Sequence, residues 1–162
     1  MQNTSLCYIE YDGKYLMMLR DKKQNDPSFG KWVGVGGKFL EKETPLECCV
    51  REIKEETGFK IDPEAITLRG VVGFRSDVWD DEEMYLFVAR LPKDYFDGNP
   101  VVPECEEGTF AWVDIDKVPH LPVWEGDRIF LEMLADEIQD IRLVFWYEGD
   151  KLVKVSKPCS II

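Results

Sequence analysis

Apolar and polar residues alternate along most of the chain, and a longer period interrupts that alternation twice. SLCYIEY and KYLMMLR, on either side of Asp12-Gly13, have the spacing of two strands joined by a tight turn. KWVGVGGKFLE continues as an extended stretch whose Gly34, Gly36 and Gly37 would permit close backbone approach to a ligand, and positive φ where required. At Thr44 the period changes to that of a helix. Thr44 suits the N-cap, Pro45 the first helical position, and Glu47 completes a capping box. Leu46, Val50 and Ile53 form the expected core stripe, and Gly58 the stop.

Two strands, ITLRGVVGF and EMYLFVARL, follow around the acidic turn RSDVWDDE. KDYFDGNPVVPECEEG predicts a loop, TFAWVDI a strand and DKVPHLPVWEGD a second loop. DRIFLEMLADEIQ, with Ile129, Met133 and Ile138, predicts a second amphipathic helix, and RLVFWYEGDKLVKVS closes as a hairpin around Glu148-Gly149-Asp150. No repeat or linker divides the chain, so residues 1–162 are expected to fold as one α/β domain with a mixed β-sheet.

The first helix carries the most specific chemistry. Glu52, Glu55 and Glu56 fall at offsets i, i+3 and i+4, and so share one face, roughly 120° from the core stripe. A solvated acidic face would give such a run. So would a site for a hard divalent cation, Mg²⁺ or Mn²⁺, which prefers carboxylate oxygens and keeps substrate phosphates among its ligands.

Composition narrows the choice. The net charge of −12 argues against binding a nucleic-acid polymer, which needs a basic surface. The charge is uneven: residues 1–38 hold six Lys/Arg against four acids, so cations adjoin the acidic helix in sequence. No run approaches the roughly 18 apolar residues of a membrane span. MQNTSLCYIEYDG has no basic-then-apolar order, so no secretory signal is expected. Five cysteines (Cys7, Cys48, Cys49, Cys105, Cys159), without a CxxC pair and with a single histidine, fit neither a disulfide framework nor a zinc site, and point to a reducing cytoplasm. Cys48 and Cys49 read as small core filler. His120, between two prolines, reads as structural or solvent-facing, which leaves a carboxylate or a metal-activated water as general base.

From Gly37 to Phe59 the chain reads GKFLEKETPLECCVREIKEETGF, and this segment resembles the signature of the Nudix hydrolases at Gly37, Glu43, Arg51, Glu52, Ile53, Glu55, Glu56, Gly58 and Phe59. The resemblance implies the Nudix fold, an α/β/α sandwich, and one or more Mg²⁺ ions held by Glu52, Glu55, Glu56 and the Gly36 carbonyl. It implies that Glu43 and Arg51 brace the loop against the helix, where a bidentate fork suits the task better than a lysine. It also implies a further acid, matched at Glu107 beside Glu104 and Glu106. GKWVGVGGK, EEGTFAWV, Trp124 to Asp127 and FWYEGDKL extend the resemblance to the MutT branch, the 8-oxo-dGTP diphosphatases. There Gly37, Lys23 and Lys38 would face the phosphates, Trp124 would stack on the base and Asp127 would bond its edge.

Val33 stands in the base-contacting position where mammalian members have asparagine, and Gly126-Asp127 where they have paired aspartates. An aliphatic residue at 33 and the WEGD run are similar to bacterial members. The expectation is a Mg²⁺-dependent pyrophosphohydrolase acting on a small nucleotide, as a monomer or homodimer. Another nucleotide substrate (an undamaged triphosphate, a nucleotide sugar, a dinucleotide) and a non-catalytic nucleotide-binding regulator are the alternatives.

Overall fold

The computed structural model describes residues 1–157; Cys159 lies outside them. Nine strands and two α-helices follow in chain order: β1 (Gln2–Tyr11), β2 (Lys14–Leu19), β3 (Trp32–Val33), β4 (Val35–Lys38), α1 (Pro45–Thr57), β5 (Ile66–Ser76), β6 (Glu82–Arg90), β7 (Thr109–Asp114), α2 (Glu125–Ala135), β8 (Ile141–Glu148) and β9 (Lys151–Ser156). All nine strands join one sheet in the order β3-β2-β1-β6-β5-β8-β9, with β4 beside β1 and β7 beside β2. The β1–β6 and β5–β8 pairs run parallel and the others antiparallel, so the sheet is mixed.

Asp12 and Gly13 both take positive φ, the conformation a two-residue turn needs to follow strand twist, and Tyr11 pairs with Lys14 across it. β1 then divides one of its edges. Its C-terminal end pairs with β2, and Thr4 to Cys7 pair with β4. This division brings the glycine-rich strand beside the start of the chain.

Period-two alternation places a core on each face of the sheet. Tyr8, Met17, Leu86 and Val88 point to one side, where α2 covers them with Phe130, Leu131 and Leu134. Cys7, Ile9, Leu16, Met18, Phe87 and Ala89 point to the other, against Cys49 and Ile53 of α1. The result is the α/β/α sandwich expected. Among the described residues no helix is long and apolar enough to cross a membrane.

Both helices depart from their predicted faces. In α1 the buried residues are Cys48, Cys49 and Ile53, while Leu46 is 37% exposed. The small thiols let the helix lie close to β1, where the Ser5 hydroxyl meets Cys48 Sγ at 3.3 Å, and this contact sets the helix phase. α2 begins at Glu125, inside the predicted loop, and ends at Ala135, which leaves Ile138 exposed. Its early start follows from Gly126: a Cβ there would meet the Phe145 ring at 2.5 Å, so only glycine lets the first turn rest on β8. His120 is exposed, in a one-turn 3₁₀ segment from Val118 to His120.

Candidate active site

α1 is built to hold charge in place. Thr44 and Glu47 close the capping box, with Glu47 N–H donating to Thr44 Oγ1 at 3.1 Å and Thr44 N–H to Glu47 Oε1 at 3.0 Å. Gly58, at φ 77°, ends the helix in the left-handed conformation and donates to the Lys54 carbonyl.

Arg51 organises the acids around it. Its Nε and Nη2 fork onto both Glu43 oxygens at 2.8 and 2.9 Å, Nη2 also donates to the Lys38 carbonyl at 3.0 Å, and Nη1 reaches Glu52 at 2.8 Å and Glu55 at 3.1 Å. Glu43 also accepts from Leu40 N–H at 2.9 Å. The Arg51 fork outweighs the opposing effect of burial and, with the Leu40 amide, drives the Glu43 carboxyl down to about 2. The same contacts push the guanidinium well above its ordinary value. Arg51 thus serves as a local counter-ion for the helix as well as a brace.

The three glutamates are not equivalent. Glu55 is 58% exposed at its side chain and Glu52 only 13%. Glu56 is the most confined, and its Oε2 is buried with no hydrogen-bond partner. Burial raises Glu56 to about 8; the charges of Glu52 and Glu107 add to the rise, while the Gly36 amide and Arg20 oppose it. Burial likewise raises Glu52 against the pull of Arg51. Among the described residues no three side chains already close round one point as a metal cage.

The donor set nevertheless fits a divalent cation. An orphaned buried carboxylate oxygen faces two more acids, an arrangement a bound cation relieves and an apolar filling cannot.

Glu107 stands near this group because Arg20, at the start of the loop after β2, holds its Oε2 at 3.0 Å while gripping Asp26 at 2.6 Å. Glu104 instead bridges to Thr109, and Glu106 is exposed. Arg20 was missed by the sequence reading. Lys23, the cation singled out there, lies exposed in the loop, outside the pocket described below.

The glycines divide their work differently from expectation. None of Gly34, Gly36 and Gly37 has positive φ. A Cβ on Gly34 or Gly36 would strike the β1 backbone at Cys7 or Ser5, so these two permit strand pairing. Only Gly37 opens toward the acids; a Cβ there would sit 2.5 Å from Glu52 Oε1.

A pocket of about 450 Å³ adjoins β4, on the α2 side of the sheet. It gathers Val33, Lys38, Trp124 and Asp127 from the sequence reading with Trp79, Glu82, Phe74 and Tyr147, which that reading had not singled out. Trp124 is fixed on several sides. Its Nε1 donates to Ser28 Oγ at 2.9 Å, Lys31 Nζ lies 4.5 Å from its ring centroid, and Trp79 and Tyr147 meet it edge-on at 5.7 and 5.3 Å. A tryptophan inside an otherwise acidic turn was the available signal for Trp79.

Asp127 is 5% exposed, in the first turn of α2. Burial, reinforced by Glu82, raises it to about 8. The unfolded chain has an ordinary aspartate near 3.9, so the folded protein carries an extra proton between these values. Stability from this group is full below about pH 4 and is lost as pH rises through about 8, in the same sense as for Glu56. The metal-free protein should therefore melt at a lower temperature at about pH 9 than at about pH 5. Asp127→Asn should flatten that fall, as thermal unfolding of both proteins across the range would show; equal slopes would contradict the assignment.

The NUDIX domain family profile matches residues 2–134. YvcI, an uncharacterised Nudix hydrolase of Bacillus subtilis, is 30% identical over 139 residues, spanning 83% of this chain and 79% of its own. The oxidized purine nucleoside triphosphate hydrolase of Danio rerio is 31% identical over 134 residues, spanning 82% and 79%. Among solved structures, a MutT protein from Bacillus halodurans superposes with TM-score 0.80 over 98% of both chains at 23% identity, a likeness of fold. A MutT NUDIX hydrolase from Burkholderia pseudomallei gives 0.65 over 81% of this chain and 95% of its own, at 27% identity.

Proposed function

The chain belongs to the Nudix hydrolases, in their MutT-like branch, and is a hydrolase of nucleotide pyrophosphate bonds; from that premise we propose that it cleaves oxidised purine nucleoside triphosphates, 8-oxo-dGTP foremost, to the monophosphate and pyrophosphate. The observation that carries this reading is the meeting of two features on neighbouring residues of β4. Gly37 adjoins Glu52 of the Arg51-braced carboxylates, and Lys38 lines a pocket that Trp79, Trp124 and Tyr147 also line.

Nudix hydrolases generally use a divalent metal, usually Mg²⁺. Here Glu52, Glu56 and Glu107, with Glu55 and the Gly36 carbonyl, would hold it; when bound it supplies charge neutralisation on phosphate oxygens and an acidified water. The chain's own residues do the rest. Arg51 and Glu43 fix where Glu52 and Glu55 stand, and second partners of this kind set metal affinity. Lys38, on the pocket rim, neutralises the phosphate chain, and Gly37 keeps the passage open. The apolar wall and Val33 exclude water from the base. A neutral Asp127 offers one donor and one acceptor, the complement of a carbonyl beside an N–H on an oxopurine edge. The protein works in the cytoplasm, as a monomer or homodimer, on a small nucleotide.

The test is a panel of 8-oxo-dGTP, dGTP, other triphosphates, a nucleotide sugar and a dinucleotide, with and without Mg²⁺, with products identified. Monophosphate plus pyrophosphate, released faster from 8-oxo-dGTP than from dGTP, is expected. Turnover of 8-oxo-dGTP no faster than dGTP would remove the sanitising role and leave a general pyrophosphohydrolase.

A further inference from the structure

Strand pairing orders the pocket floor. On the face toward α2, Lys38 of β4 pairs with Thr4 of β1, and Thr4 with Met84 of β6. In the next row Gln2 pairs with Glu82, Glu82 with Phe74, and Phe74 with Phe145, on which Gly126 rests. Strands lie about 4.8 Å apart, so Glu82 stands roughly 10 Å from the strand carrying Lys38 and roughly 10 Å from the one beneath Asp127. Its electrostatics repeat this order. Burial raises Glu82 while Thr4 and Lys38 oppose the rise, and Glu82 in turn adds to the rise of Asp127 that burial causes. A nucleotide with its phosphates at Lys38 and its base between Trp124 and Asp127 must lay its sugar over Glu82.

The polar groups at that point are only loosely paired. Among the described residues Glu82 forms no ion pair, and its carboxyl closes no well-formed hydrogen bond. Thr4, 7% exposed and flanked on the same strand face by pocket-lining Gln2 and Leu6, has a buried hydroxyl with no well-aligned hydrogen bond; it lies beside Glu82 and steadies its charge. The neighbouring cation is committed elsewhere, since Arg75 bonds Glu83 and the Phe74 and Glu82 carbonyls. A half-buried carboxyl with free oxygens, midway along a nucleotide-length pocket, suits vicinal hydroxyl donors, each oxygen accepting one.

We propose that Glu82, positioned by Thr4 and flanked by Gln2, accepts the sugar hydroxyls of the substrate and sets the enzyme's demand for a 3′-hydroxyl, with room for a ribose 2′-hydroxyl beside it. This rests on the nucleotide-hydrolase reading above. One purine base is presented as its ribo-, 2′-deoxy- and 2′,3′-dideoxynucleoside triphosphate to the wild type, Glu82→Ala and Glu82→Gln, and kcat/KM is measured for each pair. In the wild type the ribonucleotide and the deoxynucleotide are both used, and the dideoxynucleotide roughly tenfold to hundredfold less well than either. Glu82→Ala erases the difference among the three sugars; Glu82→Gln, which keeps an acceptor oxygen, retains part of the gap. Thermal unfolding shows that both variants are folded, and Glu82→Gln alone decides the matter if the alanine protein is not. A wild type indifferent to the 3′-hydroxyl, or a gap that survives Glu82→Ala, overturns the sugar site while leaving the hydrolase reading intact. Failure to hydrolyse any of the three overturns the nucleotide reading and this inference together.

Discussion

Glu56→Gln should lower the rate of pyrophosphate-bond hydrolysis by about three orders of magnitude while the protein stays folded. Glu56 brings a carboxylate oxygen that is buried and has no protein partner, facing the charges of Glu52 and Glu107. That arrangement is unfavourable in the protein alone and becomes favourable when a cation is shared among the three. Glutamine keeps the shape and removes the charge, so the loss should fall on cation affinity and turnover. Stability of the metal-free protein at neutral pH should be nearly unchanged, because Glu56 is already mostly protonated there, and higher than wild type above about pH 8, where the wild-type acid must ionise in a desolvated place. Three readings decide it: kcat with Mg²⁺, binding of Mn²⁺ followed by its paramagnetic resonance signal, and thermal unfolding without metal. Wild-type turnover in the variant would remove Glu56 from the metal site.

Arg51→Lys should lower kcat by about tenfold to a hundredfold and also weaken the fold toward acid. Arg51 makes two contacts to Glu43 and one each to Glu52, Glu55 and the Lys38 carbonyl. A lysine ammonium is a single point of charge and cannot span these acceptors. The acid effect has a definite sign. Glu43 is held down at about 2 by the fork, so its contribution to stability is full above the ordinary carboxylate range and is lost as pH falls toward about 2. Without the fork Glu43 returns toward the ordinary range, and acid unfolding should begin at a higher pH. An acid titration followed by circular dichroism checks this, and coincident curves for the two proteins would contradict it.

What the sequence disclosed here was local. The Asp12-Gly13 turn, the Thr44–Glu47 capping box and the Glu43–Arg51 partnership each lie within a few residues of chain, where spacing and side-chain chemistry suffice. What it concealed depends on packing between distant segments. The face of α1 was misplaced because two small thiols, set against Ser5 on β1, outcompete Leu46 for the buried side. α2 began early because Gly126 must rest on Phe145, a contact that the turn-like composition of Trp124 to Asp127 does not announce. Arg20 and Lys23 are both cations near the end of β2. Only the course of the chain after β2 shows that Arg20 meets Glu107 while Lys23 does not join it. Trp79 and Glu82 reach the pocket through the turn between β5 and β6 and through register with β1, and neither can be read from a window of sequence.

Strand β1 carries a further consequence. Its even-numbered residues, Gln2, Thr4, Leu6 and Tyr8, look toward the pocket and the core beneath α2, while Ser5, Cys7 and Ile9 support the carboxylate helix. The two sets alternate on one backbone yet share no face. On the proposed function, substitutions at even positions should change which molecule is admitted while leaving the carboxylate helix in place. Loss or gain of a single residue within the strand would exchange the sets and cost both at once. On that reading, choice of cargo and cleavage chemistry are separated by parity along ten residues.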